Sequence, residues 1–254
     1  FNKNLDKFYQ NSTKSIVIHQ STSAKKINLN KKKKIITFVG RLNKSKGYDL
    51  FGKAVIRILN KYPEWSAFIA GDEPRDEIKF KHKNFNILGF VKHKDVLKLY
   101  DKTSIAVIPS RWEEPFGRSS LEATASGCAT IISDKGGLTE TTNDAIVLKS
   151  LNINTIVKSI ENLILNKKKR FLLQNKTYKN FYLTHRFISK KIDNLRDSIL
   201  INKKINILKK NPLRIIHVTN FNERHNGRLF FNTGRRLNNG FIRSGHTVLE
   251  FSDR

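Results

Sequence analysis

IITFVGRLNKSKGYDLFGKAVIRILNKYPEWSAFIAG, residues 35–71, reads as strand, turn, helix, turn, strand. The runs at 35–40 and 65–71 are short and apolar, as buried strands of a covered sheet are. Between them Tyr48, Phe51, Val55, Ile58, Leu59 and Tyr62 recur at helical spacing until Pro63 stops the helix.

The unit repeats downstream. An isolated strand, NILGF (86–90), precedes a helix predicted from about His93 to Lys102, with Val96, Leu97 and Tyr100 on one face. SIAVIP (104–109), a helix from Gly117 to about Ser126, ATIIS (129–133), a short helix after Gly137 and AIVL (145–148) follow. This alternation predicts an α/β fold: a Rossmann-like, doubly wound parallel sheet, with ligand loops at the carboxyl ends of its strands. SIVIH (15–19) predicts a small strand and Lys31–Lys34 a linker, while 153–209 reads as a long helical region.

Composition narrows the class. With 254 residues and 38% hydrophobic content, the chain can fill one large core or two smaller ones. Its 49 Lys and Arg against 21 Asp and Glu, a net +28, favour anionic partners without naming any. The lysines are spread over linkers and helix faces, and no zinc finger, KH loop or RRM motif occurs, so a nucleic-acid-binding protein is a remote alternative. Cys128 is the single cysteine, which excludes an internal disulfide and paired-cysteine metal motifs. No apolar run is long enough to span a membrane and no secretory signal opens the chain, so a cytoplasmic protein is the expectation. The sequence holds no methionine, which reads as a piece of a larger reading frame.

Lys210 is the last lysine; the 44 residues after it hold 7 Arg and 4 of the 13 glycines. LRIIHV (213–218), a loop at Gly227, a helix around Asn232–Arg243 and HTVLEF (246–251) read as the start of another α/β unit, too small to bury a core alone.

Three constellations stand at strand ends. In VGRLNKSKG (39–47), Gly40 permits close backbone approach, the next helix would offer free N–H groups, and Arg41 and Lys46 add cations: a phosphate or diphosphate site. The plainer reading is a basic strand–helix turn. The pattern is neither GxGxxG nor GxxxxGK[ST], which weakens the nicotinamide and P-loop classes. In SRWEEPFGRSSLEATASG (110–127), Pro115 and Gly117 shape a loop whose N–H groups, from Phe116 onward, open a helix flanked by Glu114 and Glu122. Carboxylates accept from the hydroxyls of hydroxyl-rich ligands; the competing roles are a helix cap for Glu114 and a surface position for Glu122, with Glu113 facing solvent. In DKGGLTE (134–140), Gly136 and Gly137 would form a nest of free N–H groups for a second anion, unless they are an ordinary turn. His217, His225 and His246 lack ligand spacing, Cys128 reads as a buried small side chain, Trp65 as core, and Trp112 as either packing or part of a sugar pocket.

Gly40, Arg41, Lys46 and Gly47, then EPFGRSSLE (114–122) with its Glu, seven residues, Glu spacing, then GGLTE (136–140), resemble the carboxyl-terminal domain of retaining GT-B glycosyltransferases of family four. SIVIHQSTS (15–23) resembles the start of that domain, and the likeness runs to about residue 183. The resemblance implies a retaining transferase that moves a sugar from a nucleoside-diphosphate sugar to a hydroxyl acceptor, in polysaccharide, lipopolysaccharide or other glycoconjugate synthesis. Arg41 and Lys46 would grip the diphosphate, and Glu114 would contact the transferred sugar with the N–H groups of Phe116 and Gly117. Glu122 would hold the ribose, Gly136, Gly137 and Leu138 would lie near phosphate and sugar, and Val91 would meet the base.

No cofactor or essential metal is implied, since cations already face the phosphates. A glycan or lipid-linked acceptor, a GT-B partner domain and peripheral contact of basic faces with the cytoplasmic membrane are the implied partners. The implied division is 1–14 as the end of an upstream domain, 15–183 as the donor domain, 184–210 as crossing helix and linker, and 211–254 as the start of a second GT-B-like domain. The tail, LRIIHVTNFNERHNGRLFFNTGRRLNNGFIRSGHTVLEF, resembles a CgeB-like amino-terminal domain. GCAT (127–130) departs from the family's usual GxP, and with little sequence before residue 15 the chain alone would bind donor without an acceptor site. A catalytically silent donor-binding or scaffold module is the alternative.

Overall fold

A computed structural model describes residues 16–23, 26–75, 78–202, 212–219 and 233–252. The expected upstream segment 1–14, the Gly227 loop and His225 lie outside them. The chain forms two compact units, Phe1–Leu195 and Arg196–Arg254.

The first unit is built on six parallel strands: β1 (Lys33–Val39), β2 (Ser66–Ala70), β3 (Phe85–Ile87), β4 (Thr103–Ile108), β5 (Ala129–Ser133) and β6 (Ile146–Leu148), in the order β3-β2-β1-β4-β5-β6. Every residue of β4 and β5 is buried, as central strands covered on both faces must be. Helix α1 (Tyr48–Lys61) buries Phe51, Val55, Ile58 and Leu59 against one face, together with Ile156, Ile160 and Leu163 of α4 (Ile153–Leu165). Each such side chain contributes about 1.5–3 kcal/mol. On the other face α2 (His93–Lys102) and α3 (Arg118–Ala125) pack Val96, Tyr100 and Ala123 against Ala106, Ile108 and Ile132.

The long helical region breaks into three helices: α4, α5 (Lys167–Lys179) and α6 (His185–Asn202). The break between α4 and α5 falls at Asn166, whose side chain accepts from the Lys169 N–H at 2.8 Å and so starts α5. Helix α5 seals the amino-terminal ends of two strands: Gln174 Nε2 donates to Ser104 O at 2.9 Å and Thr177 Oγ1 to Cys128 O at 3.1 Å.

The strand expected at SIVIH is absent over the described residues 16–19. This segment joins no strand: the Val17 carbonyl accepts from Lys191 Nζ of α6 at 3.0 Å, and just beyond it the chain docks on the turn before α6. Thr22 forms a single bridge to Thr184, its N–H donating to Leu183 O at 3.1 Å and its carbonyl accepting from the His185 N–H at 3.3 Å.

In the second unit β7 (Arg214–Thr219) and β8 (Thr247–Ser252) pair in parallel, in register from Arg214 with Thr247 to Thr219 with Ser252, with α7 (Thr233–Arg243) between them in sequence. Ile216, Val218, Leu249 and Phe251 are each more than half exposed. Two strands cannot enclose these side chains.

Candidate functional site

The chain leaves β1 through α1 toward β2 and leaves β4 through α3 toward β5, on opposite sides of the β1–β4 pair. The carboxyl ends of these two strands therefore bound the crevice at which a doubly wound sheet binds ligands. Loops 40–47 and 109–117 stand on its two sides.

Loop 40–47 closes on itself through Asn43. Its side-chain oxygen accepts from the Lys46 N–H at 3.0 Å and from Ser45 Oγ at 2.8 Å, and its carbonyl accepts from the Tyr48 N–H at 3.2 Å. The Gly47 N–H donates to Lys44 O at 3.0 Å. The Lys46, Gly47 and Tyr48 N–H groups are thus already used, and what the loop adds for an anion is its cationic side chains. Gly47 (φ +73) is held against the end of β4, where a Cβ would sit 1.8 Å from Pro109 O. Arg111 fastens the two loops together, donating to Asp49 Oδ1 and Oδ2 at 2.6 and 2.8 Å and to Lys44 O at 2.5 Å. Burial pushes the Asp49 carboxyl up, but the Arg111 fork outweighs it and holds the group below the usual carboxylate range.

Lys46 Nζ and Glu114 Oε1 meet at 2.6 Å, both side chains largely shielded from solvent. Arg41 is exposed and pairs with no described acidic residue. With Gly40, Phe90 and Val91 it lines a cavity of ≈ 300 Å³ above β1 and β2. Glu114 caps no helix: Gly117 (φ +102) is the N-cap of α3, without a side-chain bond. Among the described residues the N–H groups of Phe116 and Gly117 meet no protein acceptor, so the loop into α3 keeps open amides.

Glu122 is buried, not on the surface. Its Oε1 accepts from His93 Nε2 at 2.8 Å and from Arg118 Nε at 3.0 Å. Its negative charge, after burial, also helps push the Tyr100 hydroxyl up.

The glycine pair departs from the expected nest. The Gly136 N–H donates to Glu113 Oε2 at 2.6 Å, the Gly137 N–H to Glu114 O at 2.6 Å, and the Leu138 N–H to Lys135 O at 3.2 Å. None of the three amides is free. A Cβ on Gly136 would lie 2.3 Å from Glu114 O and one on Gly137 2.6 Å from Pro115 O, so these glycines let their turn lie flat on the Glu114–Phe116 loop. Glu113 is exposed but engaged: the Lys135 ammonium at 3.0 Å and the Gly136 N–H lower its pKa. Leu138 is fully buried beneath Gly117 and has no side-chain surface for a ligand.

The structure therefore joins Lys46 to Glu114, gathers Gly40, Arg41 and Val91 around one cavity, and links the segment after Val91 to Glu122 through His93. It records no direct contact between Arg41 and either glutamate. Sequence reading missed His93, the Arg111–Asp49 fork, and His19, whose Nε2 lies 2.8 Å from Glu140 Oε2 and whose ring stacks at 5.4 Å on Phe116. Of these only His93 carried a local signal, its position at the start of a helix beside a candidate site.

Trp65 and Cys128 are buried, and burial raises the Cys128 thiol pKa. Trp112 is more than half exposed beside the loop. His217 pairs with Asn238, and His246 accepts from the Leu213 N–H. Among the described residues no group of three or more His, Cys, Asp or Glu is arranged to hold a metal, and no helix is long and apolar enough to cross a membrane.

A doubly wound parallel sheet with basic and acidic loops at its switch point defines a Rossmann-like α/β domain. The family model described as "Glycosyl transferases group 1" matches residues 3–180, and the chain belongs to that family. Spore coat protein SA of Bacillus subtilis is 30% identical over 155 residues, 54% of this chain and 41% of the relative. The lipopolysaccharide core biosynthesis mannosyltransferase LpsB of Rhizobium meliloti is 32% identical over 130 residues, 47% of this chain and 37% of the relative. The chain thus spans less than half the length of these curated relatives. Among solved structures, the C-terminal domain of the group 1 glycosyl transferase LpcC from Francisella tularensis is 30% identical with a TM-score of 0.51, covering 57% of this chain and 82% of that one. Anabaena HepE in complex with UDP-glucose has a TM-score of 0.57 at 18% identity, covering 65% of this chain and 49% of that one, a likeness of fold.

Proposed function

We propose that the intact protein is a retaining glycosyltransferase that moves a sugar from a nucleoside-diphosphate sugar to a hydroxyl of a glycan or lipid-linked acceptor, in the synthesis of a polysaccharide, lipopolysaccharide or other glycoconjugate. One observation carries this reading: a shielded Lys46–Glu114 pair joins the loops after β1 and β4, next to the open Phe116 and Gly117 amides of the second loop and on the same loop as Arg41, unpaired among the described residues. Named relatives that are mannosyltransferases of lipopolysaccharide core biosynthesis support the substrate class.

In this reading Arg41 and Lys46 hold the diphosphate and offset the charge that grows on the leaving group, helped by the N–H groups of Phe116 and Gly117. Glu114 accepts from hydroxyls of the transferred sugar, Glu122 from the ribose, and Val91 lies against the base. Gly136 and Gly137 act on the donor indirectly, by setting the Glu114–Phe116 loop, and Leu138 by supporting Gly117. With two side-chain cations at the phosphates, leaving-group stabilisation proceeds without a divalent ion. Residues 15–183 form the donor domain, 184–210 the crossing helix and linker, and a second GT-B domain closes the cleft and excludes water. Residues 211–254 begin a CgeB-like domain. The protein works in the cytoplasm, its lysine-rich faces able to meet an anionic membrane surface.

The test is sugar transfer, or donor hydrolysis, by the intact protein. Loss of turnover in Arg41→Ala and Glu114→Gln supports the enzyme. Donor binding without turnover in the unaltered protein would make it a silent donor-binding module, and unchanged turnover in both variants would remove these residues from the site.

A further inference from the structure

Glu122 is a carboxylate with its two oxygens in different states. Oε1 accepts from both His93 Nε2 (2.8 Å) and Arg118 Nε (3.0 Å), whereas Oε2 accepts from no described residue. The side chain is 6% exposed, so its rotamer is set by these donors and by the packing of α2 against α3. The two donors differ in how they are held. Arg118 lies one turn before Glu122 on the same helix, is 67% exposed, and moves with α3. His93 comes from the first turn of α2, two residues after Val91 of the Arg41 cavity.

We infer that His93 is a positioning residue for the nucleotide ribose: by holding Glu122 Oε1 from the neighbouring helix, it turns Oε2 toward the ribose hydroxyls and couples the carboxylate to the Val91 segment. This rests on the assignment of Glu122 to the ribose. A carboxylate binds a vicinal diol well only when its free oxygen is aimed at it, and a single donor from the same helix leaves rotation about the carboxyl plane open. With His93 and Arg118 converging on one oxygen, the plane is fixed by two elements. A purely structural staple between α2 and α3 would instead support every bound nucleotide equally, whatever its sugar.

The experiment measures dissociation constants of the protein for UDP, GDP, ADP and CDP by calorimetry, then for the 2′,3′-dideoxy form of the tightest binder. His93→Ala is expected to weaken the ribonucleotide by roughly 5- to 10-fold, the worth of one positioned hydrogen bond, and to leave the dideoxy form unchanged. His93→Gln, which returns an N–H donor at similar reach, restores most of the loss. Equal weakening of both forms by His93→Ala, or of neither, overturns the assignment. Glu122→Gln separates the two levels. If it does not reduce the preference for the ribonucleotide, the ribose reading falls and the His93 role with it; if it does while His93→Ala does not, only the His93 role falls. Binding of none of the four nucleotides overturns both.

Discussion

The Lys46 ammonium and the Glu114 carboxylate meet at 2.6 Å although 68 residues separate them in the chain. The pair bridges the loops that follow β1 and β4, the two strands whose ends define the crevice. Because both side chains are largely shielded, each depends on the other for charge compensation until a ligand takes over.

In the proposed donor site, replacing Lys46 by Ala would remove one of two cations from the leaving diphosphate; in the observed pair it leaves Glu114 without a counter-charge. Initial-rate assays of the intact protein are expected to give a kcat/KM lower by roughly 100-fold, with Lys46→Arg retaining much of the activity. A Lys46→Ala enzyme within a factor of three of the original would remove Lys46 from the leaving-group site.

Gly47→Ala tests the crossing of loop 40–47 over β4. The left-handed backbone and the 1.8 Å approach of a Cβ to Pro109 O require the loop to move. Denaturant unfolding is expected to show a loss of at least about 3 kcal/mol. Gly89→Ala, also at positive φ but with nothing within 4 Å, is the control and costs less, about 1 kcal/mol.

The Arg111–Asp49 fork makes stability depend on pH in one direction. The folded Asp49 carboxyl sits below its ordinary value, so the pair stabilises the fold above about pH 4 and the contribution is lost as pH falls through the folded-state pKa. Asp49→Asn is expected to cost about 1 kcal/mol at pH 7, with the two unfolding curves converging under acid. A difference that persists unchanged at pH 3 would contradict this.

What was legible in the sequence was whatever depends on neighbours along the chain. The apolar runs of β1, β4 and β5 and the 3.6-residue spacing in α1 and α2 mark their elements because burial periodicity is local. The spacing of Glu114 and Glu122 is local too. What could not be read was which amides remain open. Asn43 takes the Lys46 and Tyr48 amides before α1, and the Gly136–Gly137 turn is closed by Glu113 and the Glu114 carbonyl; the second closure depends on tertiary placement, 23 residues away for Glu113. The hydrogen bond from His93 to Glu122, 29 residues away, is set in the same way. The SIVIH run has strand composition, but its partners lie far along the chain: Lys191 of α6 donates to Val17 O, 174 residues away, and His19 meets Glu140, 121 residues away.

At the opposite end of the sheet Lys32 Nζ donates to Tyr100 O at 2.8 Å and Ser126 O at 2.6 Å, joining carbonyls at the carboxyl ends of α2 and α3. Both carbonyls lie at the negative ends of helices, and Tyr100 O also accepts from the Thr103 N–H. Lys32→Met is expected to lower stability by about 1–3 kcal/mol while leaving nucleotide affinity unchanged. In the folded protein Cys128, buried nearby with its thiol pKa raised by burial, resists alkylation by iodoacetamide and reacts only on unfolding. Altered nucleotide affinity in Lys32→Met would show that the two ends of the sheet are coupled.

The most direct measurement is a crystal structure of the intact protein with a nucleoside diphosphate bound. The diphosphate oxygens are expected within hydrogen-bond reach of Arg41, Lys46 and the Phe116 and Gly117 amides, with the ribose on Glu122. A nucleotide seated elsewhere, with the Lys46–Glu114 pair undisturbed and the Arg41 cavity empty, would contradict a donor site at this edge of the sheet.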